Sequence, residues 1–188
     1  MNVEQTQFLK LHEHQGYIDQ TIDLLNSEWP KSVSYREKVL RSSTDDLPVN
    51  LILVKGDNVV GFCRLIKTQE SMLGVESVVT DKNVRGQGYG RILMEGVEEM
   101  ANKYYEPRIE KGKEHYLYLY TNTAQGFYEK CGFEITSAPQ GFGSVVSNLN
   151  SGQLSGLAAM LQKRQQSLPH ENTNKDGSVW MRKQINKV

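Results

Sequence analysis

The stretch Val84 to Leu93, reading VRGQGYGRIL, constrains this chain more than any other. It sets Arg85, Gly88 and Gly90 between a β-branched run (Val75, Val78, Val79, Thr80) and a segment of helical period. A strand that turns through glycine into a helix leaves backbone N–H groups aimed at one point, with the positive end of the helix dipole behind them. Such a point suits phosphate. Two common phosphate loops fail on the letters. A dinucleotide turn needs G-x-G-x-x-G, but counting from Gly86 and Gly88 the third place falls on Arg91; a P-loop needs G-K-[ST], but Gly90 is followed by Arg91 and Ile92.

At 188 residues the chain suits a single domain over 1–188 with one elaboration. Lys plus Arg equals Asp plus Glu at 22 each, so no overall field draws in nucleic acid or a membrane surface. Cys63 and Cys131 lie far apart with no metal-ligand spacing, which argues against a disulfide framework and a zinc site and predicts two small buried hydrophobes. The N-terminal MNVEQTQFLK lacks the apolar core of a signal peptide, and no run approaches ~18 apolar residues. The expectation is a soluble, cytoplasmic protein without a metal.

In chain order, Phe8 to Leu11 reads as a first strand, and Tyr17, Ile18, Ile22, Leu24 and Leu25 as a helix stopped by Trp29-Pro30. A second helix spans Tyr35 to Arg41, followed by the turn-like Arg41 to Asp46. Val49 to Lys55 and Val59 to Lys67 form a hairpin, and Leu73 to Thr80 a further strand. After the glycine loop, Tyr89, Ile92, Leu93, Gly96, Val97, Met100 and Tyr104 make one face of an amphipathic helix. Tyr105 to His115 reads as a charged surface excursion and Tyr116 to Tyr120 as a strand. Ala124, Phe127, Tyr128 and Cys131 form a short helix closed by Gly132. Phe133, Ile135 and Phe142 to Val146 resume β character. The span 147–177 is a polar insertion with an amphipathic pattern from Leu154 to Arg164, ahead of a last strand from Ser178 to Ile185. The result is mixed α/β, an antiparallel sheet that gains a parallel pair near the Arg85 loop.

Arg85, Gly88 and Gly90 match the [RQ]-x-x-G-x-[GA] signature of the GCN5-related N-acetyltransferases, and GFYEKCGFEI, Gly126 to Ile135, resembles that superfamily's F-Y-x-x-x-G-F motif. The resemblance covers about Tyr17 to Ile185. It implies the GNAT fold: a mostly antiparallel sheet whose parallel pair splays at the acetyl-CoA site, flanked by helices. It also implies that acetyl-CoA contacts Val78, Val79 and Thr80, the loop Arg85, Gly86, Gln87, Gly88, Tyr89, Gly90 and Arg91, and one of Thr121 and Asn122. The superfamily often has Asn seven residues before the motif tyrosine, where this chain has Thr121 with Asn122 beside it.

Aminolysis of a thioester needs a neutral amine, a stabilised oxyanion and a proton for the departing sulfur. The resemblance gives the proton to Tyr128, a phenol with an ordinary pKa of ~10 facing a thiol of ~8.5. It puts the oxyanion on a backbone N–H near Val79 or Thr80. Glu76, by alternation on one face with Val78 and Thr80, is an acid inside an apolar strand. A carboxylate there is a general base, or else a substrate-positioning or salt-bridging group.

For the acceptor, LLNSEWPKS, the SST segment before Asp45, VESVVT and the terminal SVWMRK resemble the N-alpha-acetyltransferases that modify the mature, acidic N-terminus of actin. Lys31, Arg36, Lys38 and Arg41 outnumber the acid Glu37 there, and an arginine fork binds carboxylates bidentately. Arg36, Arg41, Ser42, Ser43 and Thr44 are therefore candidate substrate contacts, the three hydroxyls reading equally as a plain turn. Trp29 is either a wall of the peptide site or a core anchor. Transfer to a small amine or internal lysine, and a coenzyme A-binding module without activity, are the alternatives. Vertebrate members carry a proline-rich insertion that suggests profilin binding; residues 147–177 contain only Pro169, so that partnership does not carry over.

Overall fold

In the computed structural model the described residues are 6–108, 113–139 and 177–185. The expected strand at Phe142 to Val146, the pattern at Leu154 to Arg164 and nearly all of the 147–177 insertion lie outside them.

Seven strands form one sheet: β1 Thr6–Lys10, β2 Val49–Lys55, β3 Asn58–Gln69, β4 Met72–Thr80, β5 His115–Thr121, β6 Glu134–Thr136 and β7 Val179–Ile185. Their spatial order is β1-β2-β3-β4-β5-β7-β6. Every neighbouring pair of these strands is antiparallel except β4 with β5. Among the described residues four α-helices flank the sheet: α1 Ile18–Glu28, α2 Val33–Arg41, α3 Tyr89–Tyr105 and α4 Gln125–Lys130.

The central strands read as near-continuous apolar runs because helices cover both faces. On one face Leu51, Leu53, Cys63, Leu65, Leu73 and Val75 pack with Leu93, Val97 and Ala101 of α3. On the other, Ile52, Val54, Phe62 and Val79 meet Ile18, Ile22 and Leu25 of α1. Each such side chain contributes about 1.5–3 kcal/mol by leaving water. The helix ends follow their sequence signals. Ser32 accepts the Tyr35 N–H at 3.3 Å and starts α2 two residues before the apolar pattern does. Pro30 follows the last turn of α1.

Two expectations change. Tyr105 and His115, read as the limits of a surface excursion, are buried with rings 4.0 Å apart, because Tyr105 is the last residue of α3 and His115 the first of β5. Cys63 is fully buried, but Cys131 is only half-buried, since α4 ends beneath it at the rim.

Candidate active site

The site forms where β4 and β5 part. They pair only over Met72–Gly74 with Tyr116–Tyr118, and beyond this the strands make a fork. A bulge accompanies the divergence. Between Arg64 and Phe62 on β3, two steps are matched by three on β4, from Glu76 to Val79. Ser77 there has φ +53°, a left-handed conformation that non-glycine residues seldom adopt. The extra residue exchanges the strand's faces, so simple alternation fails. Val78 packs on the α3 side while Val79 joins the α1 side, and Glu76 lies across from Arg64 on that α1 side. Glu76 therefore does not share a face with Val78 and Thr80.

The loop after β4 is shaped by glycine. Asp81 accepts the Asn83 N–H at 2.7 Å and opens a 3-10 turn, from which the chain passes through Gly86 and Gly88 into α3. Gly88, the N-cap, has φ +91°. At Gly90 a Cβ would lie 3.2 Å from the Phe127 ring, so α3 and α4 can approach closely only without a side chain. Among the described residues, the N–H groups of Gly86, Gly88, Tyr89 and Gly90 have no backbone acceptor. With the α3 dipole behind them, they fit the phosphates of a coenzyme A donor.

The loop's long side chains are engaged elsewhere. Arg85 pairs with Glu28 at 2.9 Å and donates to the Thr80 carbonyl at 3.3 Å, Gln87 donates to the Asn83 carbonyl, and Arg91 pairs with Glu95. Phosphate recognition here is backbone work. Thr121 Oγ1 accepts the Ala124 N–H at 3.1 Å and opens α4, whereas Asn122 is exposed. Asn122 is the side chain left open to the coenzyme.

Tyr128 is buried between Phe127 and Phe133, with ring centroids 5.1 and 5.9 Å away. Burial, helped by the Cys63 and Cys131 thiols, pushes its phenol well above the ordinary pKa of 10.0. It stays a proton donor at any physiological pH. Tyr128 belongs to the α3 side and Glu76 to the α1 side.

On the acceptor side the predicted residues separate. Trp29 is 42 % exposed, so it is no core anchor, and the adjoining Glu28 and Ser27 bind Arg85 and Lys82 of the coenzyme loop. It stands at the mouth. Arg36 instead turns inward. It is buried, its Nε donates to Asn26 Oδ1 at 3.1 Å, and its Nη2 donates to the Leu25 and Trp29 carbonyls at the end of α1. That removes Arg36 from the rim cations, because its guanidinium serves the carbonyls left open at the C-terminal end of α1.

Arg41 is exposed, bonded to Gln15 and near Glu37. Ser42 donates to the Val39 carbonyl, and buried Ser43 accepts the Asn50 N–H and bonds His12, each at 2.9 Å. Thr44 is exposed, with its N–H on the Pro48 carbonyl. These contacts fix Arg41 to Thr44 against β2 and the turn that follows β1, two strands or more from the fork at ~4.8 Å per strand. They form a structural turn away from the mouth, which the sequence order conceals. The same edge gathers His12, Glu13 and Asp45, but Lys10 Nζ lies 2.6 Å from Asp45 and 3.2 Å from Glu13 and already supplies a cation.

Residues missed by the sequence reading lie on the α1 side of the fork. Arg64 of β3 is one, half-buried and across from Glu76. Tyr118 and Tyr120 of β5 face the same way, Tyr120 against Trp180.

Residues 49–135 match the model of the acetyltransferase (GNAT) domain. N-alpha-acetyltransferase 80 of Mus musculus is 34 % identical over 128 residues, covering 63 % of this chain and 38 % of that protein. The peptidyl-lysine N-acetyltransferase YjaB of Escherichia coli (strain K12) is 29 % identical over 119 residues, 63 % of this chain and 69 % of the other. The N-acetylglutamate synthase of Neisseria gonorrhoeae, solved with coenzyme A and N-acetyl-glutamate, superposes with TM-score 0.61 at 14 % identity over 97 % of this chain and 36 % of that one. The match to the GNAT acetyltransferase model lies within residues 49–135, and the forked sheet has the fold of the solved acetyltransferases it resembles. The chain spans little over a third of the mouse relative. No helix among the described residues is long and apolar enough to cross a membrane.

Proposed function

We propose that the chain transfers acetyl from acetyl-CoA to the free α-amine of a protein with an acidic N-terminus, mature actin being the acceptor of choice, in the cytoplasm and without a nucleic-acid, membrane or metal partner. The observation that carries the donor half is the fork between β4 and β5 with the four N–H donors of the glycine loop at its mouth. The acceptor half draws on the likeness to the mouse N-alpha-acetyltransferase and on Trp29 beside the coenzyme loop.

Acetyl-CoA supplies an activated acyl carbon and a sulfur leaving group. Glu76, buried on the acceptor side, takes the proton that the amine sheds as its nitrogen bonds to the acyl carbon, directly or through a water. Tyr128, on the coenzyme side, gives its proton to the sulfur as the C–S bond breaks. A weak base is enough for this acceptor: an α-amine of pKa ~8 is about a tenth deprotonated at neutral pH, a lysine of ~10.4 less than about one part in a thousand.

The likeness to a peptidyl-lysine acetyltransferase favours a second reading, transfer to lysine. Acetyl-CoA with a peptide beginning Asp-Asp-Asp, the same peptide with a blocked α-amine, and a lysine peptide separate the two. Acetylation of the free peptide alone is expected; equal labelling of the blocked peptide would sink the N-terminal reading.

A further inference from the structure

A polar row crosses the α1-facing side of the sheet. Asn50 of β2 is opposite Arg64 of β3, which is opposite Glu76 of β4, with Ile52, Phe62 and Val79 on the same face beyond them. Asn50 is held, its Nδ2 donating to the Val39 and Leu40 carbonyls at the end of α2. Arg64 is different. Arg36, Arg41, Arg85, Arg91 and Arg182 each donate to an acceptor. The Nε of Arg64, a half-buried residue, is shielded from solvent and has no hydrogen-bond partner among the described residues. Burial pulls its pKa down, with Glu76 and Tyr35 acting in the other direction.

A guanidinium has five donors in a planar fork, and leaving them unmade in a shielded place is costly. Its place explains what could repay that. Arg64 is one strand from the fork, on the face where the acceptor must enter, and Glu76 lies between it and the opening.

We infer that Arg64 selects the acceptor by receiving the side-chain carboxylate of its first residue. The inference rests on the N-terminal reading above. An N-terminal aspartate or glutamate presents an amine and a carboxylate only a few bonds apart. Glu76 and Arg64 present a carboxylate and a guanidinium on neighbouring strands about 4.8 Å apart. The two pairs are complementary, amine to Glu76 and carboxylate to Arg64, and the guanidinium fork suits a carboxylate bidentately. A lysine ε-amine, at the end of four methylenes, brings no carboxylate with it. A free α-amino acid would bring one, so it serves as a separate arm of the test.

The test compares kcat/KM for peptides identical except for Asp or Asn in first place, for free aspartate, and for a lysine peptide with a blocked α-amine. The enzyme is the full chain as wild type, R64K and R64M, with coenzyme A titration and thermal melting establishing that each is folded. Wild type should favour Asp over Asn by about thirtyfold, the equivalent of about 2 kcal/mol. That ratio should fall to about threefold or less in R64M, with R64K between.

A wild-type ratio near one overturns the assignment without any variant, and a ratio preserved in R64M or R64K does so whatever happens to the overall rate. Free aspartate outrunning the peptide overturns the choice of a chain terminus. If wild type labels only the lysine peptide, the N-terminal reading fails and takes the inference with it; if it labels the α-amine with an Arg64-independent preference, the inference alone fails.

Discussion

The coenzyme loop, from Thr80 to Gly90, and the stretch expected from the sequence to form an acceptor rim, from Trp29 to Thr44, are built from different kinds of contact. The loop works through backbone N–H groups placed by glycines at positive φ, and its long side chains are engaged in ties to α1 and to its own helix. The rim depends on which side chains of a short helix turn inward, and Arg36 does while Arg41 does not. A function carried by backbone geometry leaves its mark as glycine spacing. One carried by side-chain direction leaves almost none.

Substitutions should separate the two regions. The largest effect belongs to Tyr128→Phe, which keeps the buried ring and removes the proton: kcat should fall by about 10³-fold in steady-state kinetics while coenzyme A affinity stays put. An unchanged kcat would strip Tyr128 of its role. Because burial raises the phenol's pKa, wild-type kcat should hold as pH rises from about 8 to 9.5, a window below the ordinary tyrosine value. Stability should decline above about pH 10, where the unfolded chain ionises this tyrosine and the folded one resists it.

Next comes Gly88→Val, a β-branched residue at φ +91° beside the N–H donors, expected to weaken coenzyme A binding by about 100-fold in calorimetric titration. Binding within about threefold of wild type would mean that the loop does not hold the donor. On the rim, Arg36→Ala should lower unfolding stability by about 1–2 kcal/mol, because it leaves the Trp29 carbonyl without its guanidinium donor, while the Leu25 carbonyl keeps the Trp29 N–H and Asn26 Oδ1 keeps the Lys31 N–H. A fall in activity toward acidic peptides with no loss of stability would restore Arg36 to the rim. Arg41→Ala, at an exposed position, should change stability by less than about 0.5 kcal/mol and leave acceptor KM alone.

Most of the fold could be read from the residues, because its signals are apolar runs, periods or punctuation: the apolar runs of β2 and β3, the apolar face of α3, proline after α1, Gly132 after α4. The phosphate socket was legible for the same reason. The bulge at Ser77 was not visible as a position, since serine carries no requirement for φ +53°, and without it alternation put Glu76 on the wrong face relative to Val78 and Thr80. Nor could the sequence show that Ser43 is tied to β2 and His12, which puts the SST turn at the far side of the sheet from the fork. Arg64 was hidden by normality: a cation in a strand gives no sign of its burial until the helices covering that face are known.

The most direct trial of the whole account uses one acceptor with both kinds of amine, a peptide that begins with a free Asp-Asp-Asp and carries an internal lysine. After incubation with the protein and acetyl-CoA, fragmentation mass spectrometry locates the added group. The account predicts one acetyl on the N-terminal aspartate and an unmodified lysine; an acetyl on the lysine with a free N-terminus would contradict it.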